Sequence, residues 1–322
     1  MEEKDFSYRI RDGKAQIENY AGSARSVIIP ETLGGCPVTR ILPCAFENKD
    51  MVRVHFPSGL EVIEHHGFAG CSSIEHLELT GCLRQIGNYA FYNCLNLRVL
   101  HLGAAVRSIG FGAFKNCELL EELIQDKESG HDMNIGSILD DLDQEIHVEI
   151  RHRELPADQG RARVTFTRHS YEIVANVASM CKQFESTEYG SGKYLRYCIG
   201  NDDIDYTKYD GMFYVLLRGD SFETIITVVM DRLMYPYALT EGAAGRYAAY
   251  LQEHAQQAGL LFIQKGQTDR LRFLCEKDML TRDALDALID ASVQTDDAAV
   301  TAYLMDCRHQ KFPADDQDEF IL

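Results

Sequence analysis

Apolar positions between residues 40 and 125 return in a fixed order every 22 or 23 residues. Phe46, Phe68, Phe91 and Phe114 mark the register, spaced 22, 23 and 23 apart. Ile41, Ile63, Ile86 and Ile109 precede them at a constant offset of five, and Cys71, Cys94 and Cys117 follow at an offset of three. Lys49 takes the cysteine's place in the first copy, which is one residue shorter in the loop before Met51. Next come Met51, Ile74, Leu97 and Leu120, then Val54, Leu77, Leu100 and Leu123. Phe56, Leu79 and Leu102 continue the pattern until Gln125 breaks it. A half-copy, "SVIIPETLGGCPVTRI" (26–41), supplies the opening coil. A period of 20–29 residues with so many apolar anchors predicts a solenoid, because one coil cannot bury its apolar face alone. Stacking then puts Phe over Phe and Cys over Cys. Each L-x-x-L-x-L segment becomes a short strand of a parallel sheet, about 4.8 Å from its neighbours.

These residues resemble the BspA-like, treponemal-type leucine-rich repeats, whose pattern is I-x-x-x-A-F-x-x-C-x-x-L-x-x-I-x-L-P. The resemblance covers about residues 6–125, including the strand-rich opening "FSYRIRDGKAQIENYAG". It implies protein binding, often at a cell surface. The cysteine column reads as small buried hydrophobes rather than a metal or disulfide site.

Alternation along a strand sends neighbouring side chains to opposite faces. If the leucines point inward, Arg53, His55, His76, Glu78, Val99, His101, Glu122 and Ile124 form the outer row. Those before Ile124 are the candidate binding residues. Within the row, His55, Glu78 and His101 form one column, with His76 close by. Two imidazoles and a carboxylate are metal-type ligands, but a solvated polar surface is the reading preferred here, and no metal or cofactor is expected. His65 and His66 fall in a connecting loop and receive no role.

Beyond Gln125 the repeat stops, and the acidic segment 125–145 is expected to contribute a cap over the last coil. Residues 146–166, with Pro156 and Gly160, read as a linker or short hairpin. The expected division is therefore a repeat domain over 1–145 and a mainly helical domain over 146–322. Helices are predicted over 170–184, over 209–236 up to Pro236, and over 239–266 behind a Thr240 cap. Three more come after these: "DRLRFLCEKD" (269–278), then one carrying Leu285, Leu288 and Ile289 behind Thr281, and one carrying Val300, Tyr303 and Leu304 behind Thr295. The last 45 residues resemble a degenerate ankyrin-type helical pair. The whole region resembles the helical half of some cytoplasmic bacterial leucine-rich repeat proteins, which implies no activity. The fold class is thus α+β, a solenoid with a short-stranded parallel sheet followed by stacked helical hairpins.

Segment 186–213 carries Gly-Ser-Gly-Lys, but Thr187 stands where a phosphate loop needs its first glycine and Tyr194 follows Lys193. Its tyrosines, Tyr189, Tyr194, Tyr197, Tyr206 and Tyr209, pack a small core or line a surface. Arg196 or Arg232 could pair there with Asp205 or Asp210. Arg218-Gly219-Asp220 reads as a chance tripeptide.

Charge narrows the partners. Of the net −18, residues 1–125 carry 12 basic and 15 acidic groups, a balance of −3, and the remainder 20 and 35, a balance of −15. Such a chain repels phosphate backbones and acidic membranes, so neither nucleic acid nor membrane is an expected partner. The opening residues contain no apolar run resembling a secretory signal, and the ten cysteines form no C-x-x-C pair. The expectation is a cytoplasmic, non-enzymatic interaction protein with an unidentified protein partner. The alternatives are a surface adhesin without its leader and a metal-dependent enzyme using the His/Glu column.

Overall fold

The structure, a computed structural model, describes residues 3–130, 134–156, 159–168, 170–176, 183–200, 203–295 and 297–313. Two units emerge: residues 1–220 with 235–238, and 221–234 with 239–322.

The first unit is built on coils. A hairpin of β1 (Phe6–Arg11) and β2 (Lys14–Tyr20) opens it, followed by β3 (Ser26–Ile28), β4 (Thr32–Leu33) and β5 (Cys36–Ile41). The repeats then alternate a strand on one side, β6 (Arg53–His55), β8 (His76–Leu79) and β10 (Val99–Leu102), with a shorter one on the other, β7 (Val62–Ile63), β9 (Gln85–Ile86) and β11 (Ser108–Ile109). The shorter strands extend one ladder in the order β1-β2-β5-β7-β9-β11. The longer ones begin a second, which β12 (Glu122–Lys127), β13 (Ile146–His152) and β14 (Arg161–Phe166) complete in the order β14-β13-β12-β10-β8. Strand β6 stands outside that ladder and pairs with β3.

Between the ladders lies the core. Phe46, Phe68, Phe91 and Phe114 are fully buried, with successive ring centroids 4.7, 5.3 and 5.3 Å apart. Tyr20 continues the stack 5.3 Å below Phe46. The cysteines are not inert filler: Cys71, Cys94 and Cys117 donate their thiols to the carbonyls of Phe46, Phe68 and Phe91 at 3.0, 3.6 and 3.4 Å. Each therefore ties its coil to the one before. Burial pushes the Cys71 thiol up to about 11, so it keeps the proton it donates. The bend around each phenylalanine uses two left-handed residues per coil, at Cys44 and Asn48, His66 and Gly70, Tyr89 and Asn93, Gly112 and Asn116.

At the far end, α1 (Ile135–Leu139) buries Ile135, Ile138 and Leu139 over the last coil. Gln144 donates to the carbonyls of Cys117 and Leu120. Of the two expectations for 146–166, a linker or a short hairpin, the structure has the hairpin, and it joins the sheet: β13 runs parallel to β12, and β14 returns antiparallel. The alternation of Val148 and Ile150 with Glu149 and Arg151 is the physical reason, since one face is buried and the other charged.

A second departure lies at 170–184, where strands β15 (Ser170–Asn176) and β16 (Gln183–Tyr189) form a hairpin in place of the predicted helix. Tyr171, Ile173 and Val174 fit either period, and aromatic and β-branched residues favour the strand. Residues 177–182 of that prediction lie outside the described residues.

Helices α2 (Gly192–Arg196), α3 (Tyr206–Gly211) and α4 (Phe213–Gly219) complete the unit. Tyr209 is fully buried, and its hydroxyl bonds both the N–H and the carbonyl of Thr165, at 3.0 and 2.7 Å. It thereby satisfies groups on the open edge of β14, where Pro236 also forms a bridge with Ala162. Arg196 pairs with neither aspartate proposed for it. It donates instead to the carbonyls of Leu139, Leu142, Gln144, Thr167 and Gly192. Tyr206 joins Tyr209 in the interior, whereas Tyr194 and Tyr197 are exposed, and the Tyr189 side chain lies outside the described residues.

The second unit is helical: α5 (Phe222–Met234), α6 (Glu241–Glu253), α7 (Ala255–Gln264), α8 (Thr268–Glu276), α9 (Arg282–Val293) and α10 (Ala298–Lys311). Thr240 and Thr281 cap α6 and α9, accepting from Ala243 and Ala284 N–H. The cap of α10 is Asp297 rather than Thr295. Its carboxylate accepts from Ala299 and Val300 N–H, while the Thr295 hydroxyl turns back to the Ser292 carbonyl. Leu288 of α9 fills the notch left by Gly259 of α7, where a Cβ would meet it at 2.7 Å. A buried ion pair, Arg270 to Asp231 at 2.8 Å, ties α8 to α5.

Candidate functional site

Parallel register fixes which outward residues meet. Across β8, β10, β12 and β13 one column reads His76, Val99, Glu122, His147, and the next Glu78, His101, Ile124, Glu149. Glu78 therefore lies beside His101. The expected column does not reach His55 as a ladder partner: His55 pairs with Ile28, and Arg53 with Ser26, on the separate β3–β6 ladder. The shortened first repeat and the bulky Phe56, packed edge-on against Phe68 at 5.5 Å, accompany this interruption.

Exposure along the row is graded. Arg53, His55, His76 and Glu78 are exposed, while Val99, His101, Glu122 and Ile124 are half-buried. The grading comes from residues past the repeats. His101 keeps only 19% of its side-chain exposure and sets Nε2 3.2 Å from the carboxylate of Asp126, itself 4% exposed. Arg153 donates to the same oxygen at 2.7 Å. Burial alone would raise the Asp126 pKa, but the hydrogen bonds from His101 and Arg153 outweigh it and hold the carboxyl below its ordinary range. Glu149 repeats the arrangement. Burial pushes its pKa up, and Arg161 and Arg151, bonded at 2.9 and 2.6 Å, pull it below normal. Arg163 reaches Glu122 at 3.2 Å, and His147 bonds the Thr165 hydroxyl at 2.9 Å.

The outer face thus has two parts. One is an open polar row on β6 and β8, whose side chains the core does not need. The other is a charge-paired surface on β12–β14 that fixes His101. Among the described residues, no three His, Cys, Asp or Glu side chains converge as a metal site requires. Sequence reasoning did not reach Asp126, Glu149, Arg153, Arg161 or Arg163, because they follow the last repeat and answer to no anchor. The alternation in "EIHVEIRHRE" was the available signal.

Coils that close a phenylalanine column between two parallel ladders define a leucine-rich repeat protein of the short-coil kind. Residues 19–130 match the BspA type leucine rich repeat region in six copies. Among solved structures, a T. pallidum leucine rich repeat protein is 25% identical, matching 39% of this chain and 74% of that one with a TM-score of 0.33. A leucine rich cell surface protein from Faecalibacterium prausnitzii A2-165 is 20% identical over 38% of this chain and 43% of that one, with a TM-score of 0.31. The pneumococcal vaccine antigen PcpA is 17% identical over 51% and 52%, with a TM-score of 0.32. No curated protein matches the chain. Among the described residues, no helix is long and apolar enough to cross a membrane.

Proposed function

We propose that the chain is a non-enzymatic interaction protein that binds a protein partner through the outward row of its repeat ladders. One observation carries this reading. Arg53, His55, His76 and Glu78 are exposed polar side chains on rigid strands whose inward neighbours, Val54, Leu77 and Leu79, are buried. Their folding role is slight, while a sheet surface presents them in a fixed pattern, the condition for recognition without large ordering costs. The family of the repeats, whose members act in protein interaction or at surfaces, supports the same class of function. A cytoplasmic setting belongs to this reading, supported by buried thiols that act as donors within the core.

The test is affinity capture from the source organism's lysate. Wild type runs beside a variant with Arg53, His55, His76 and Glu78 changed to Ala. A protein retained by wild type and lost from the folded variant is the expected result. Equal retention by both would remove the row from the binding site.

A further inference from the structure

Among the described residues, the α9–α10 hairpin leaves one side uncovered. Helix α9 packs on α7 through Leu288, and α10 meets α8 through Tyr303, over which Arg272 lies at 5.4 Å, and through the Lys311–Asp278 ion pair at 2.6 Å. On the side turned away from these contacts, a groove of about 410 Å³ runs between α9 and α10. Its walls are Val293, 61% exposed, and Met305, 51% exposed, and its floor includes Ala298 and Ala302. A helical array that ends in water finishes with a polar outer face. Among the described residues this face instead carries two large apolar side chains over a floor of small residues, a surface shaped for another helix.

Charge decides which helix. Asp290 lies one turn before Val293, Asp306 one turn beyond Ala302, and Asp297 lines the groove at the start of α10. All three are exposed. Arg308, the nearest cation on α10, is paired with Asp286. Two copies of the chain meeting here would set acid against acid. The chain's own terminal sequence, "ADDQDEFIL" (314–322), carries four more acids. We propose that the α9–α10 groove docks an amphipathic helix of a partner protein, its apolar side on Val293, Ala298, Ala302 and Met305 and its flanks basic.

The probe is a fluorescein-labelled peptide of about 18 residues, with Leu and Ala on one helical face and Lys on the other. It is titrated into the full chain and followed by anisotropy. Saturable binding is expected, weakened about tenfold or more by Ala302→Arg, which fills the floor and adds a like charge. Met305→Lys is the second variant, used if circular dichroism shows the first to be misfolded. Asp290→Asn with Asp306→Asn should weaken binding and flatten its salt dependence, and a peptide with Glu in place of Lys should not bind. Equal binding to a folded groove variant would show general attraction to an acidic protein and overturn the proposal, as would no saturable binding. A dimer in sedimentation equilibrium that Ala302→Arg disperses would reassign the groove to a second copy. Tenfold tighter peptide binding after truncation beyond Pro313 would reassign it to the chain's own tail.

Discussion

Single residues in the coil show how little freedom the repeat tolerates. Gly70 holds φ at +72°, and a Cβ there would sit 2.0 Å from the Asn48 side-chain oxygen. Gly70→Ala is expected to destabilise the first unit by roughly 1–3 kcal/mol, combining left-handed strain with displacement of Asn48. Urea midpoints would show it, and an unchanged midpoint would mean the coil yields there. Asp126 and Glu149 make the acid response specific. Their folded pKa values lie below the unfolded ones, so their contribution is present above about pH 4 and is lost as pH falls through the folded values. Asp126→Asn with Glu149→Gln should therefore flatten the loss of stability between about pH 5 and pH 2. Acid titrations of both proteins that run parallel would mean that neither carboxylate drives acid unfolding.

Elements are stabilised by their stacks rather than by propensity. Phe91 lies 5.3 Å from both neighbours in the ring column, so Phe91→Ala leaves a void with aromatic walls above and below. The expected loss is roughly 3–5 kcal/mol by equilibrium denaturation. A loss below about 1 kcal/mol would contradict the column. The repeats were legible because every coil restates the same anchors: Ile63, Phe68, Cys71 and Leu77 needed no structural knowledge to align. The chain beyond Gln125 offers no second copy to compare. Strand β13 hides because Glu149 is buried as an ion pair, as Asp126 is on the neighbouring β12, and a hydrophobic pattern does not count either. The hairpin β15–β16 hides because a handful of β-branched residues satisfy two periods at once. His101 was rightly placed on the outward side, yet its nearest carboxylate contact comes from outside the repeat.

At the scale of the molecule, β12–β14 with α1, α2 and α3 close the solenoid within the first unit. A chain ending at residue 145 would expose the β12 edge and strip the carbonyls of Leu139, Leu142 and Gln144 of Arg196. It is expected to aggregate or unfold, whereas a chain ending at 220, which retains Arg196 and Tyr209 and leaves α5 with the second unit, should sediment as a monomer with sheet-rich circular dichroism. A soluble, cooperatively folding 1–145 fragment would show that the cap is dispensable. Residues 221–322 should fold separately into helix, held by the Arg270–Asp231 pair and by Leu288 seated over Gly259. A random-coil spectrum from that fragment would join the two units into one.

The interruption between β6 and β8 has a mechanical meaning. On the opposite side the ladder β5-β7-β9 runs through without a break, and the phenylalanine stack crosses the same level. The coils are thus laddered along one side, while along the other they are joined at the strand ends, by Ser73 to Asp50 and by the Cys82 N–H to the Ser58 carbonyl. At this one level, contacts beside the strands do what a second ladder does between the later coils. A ligand that touched both His55 and His76 would span the one pair of neighbouring outer strands that no ladder joins, completing from outside what β8, β10 and β12 share through their backbones.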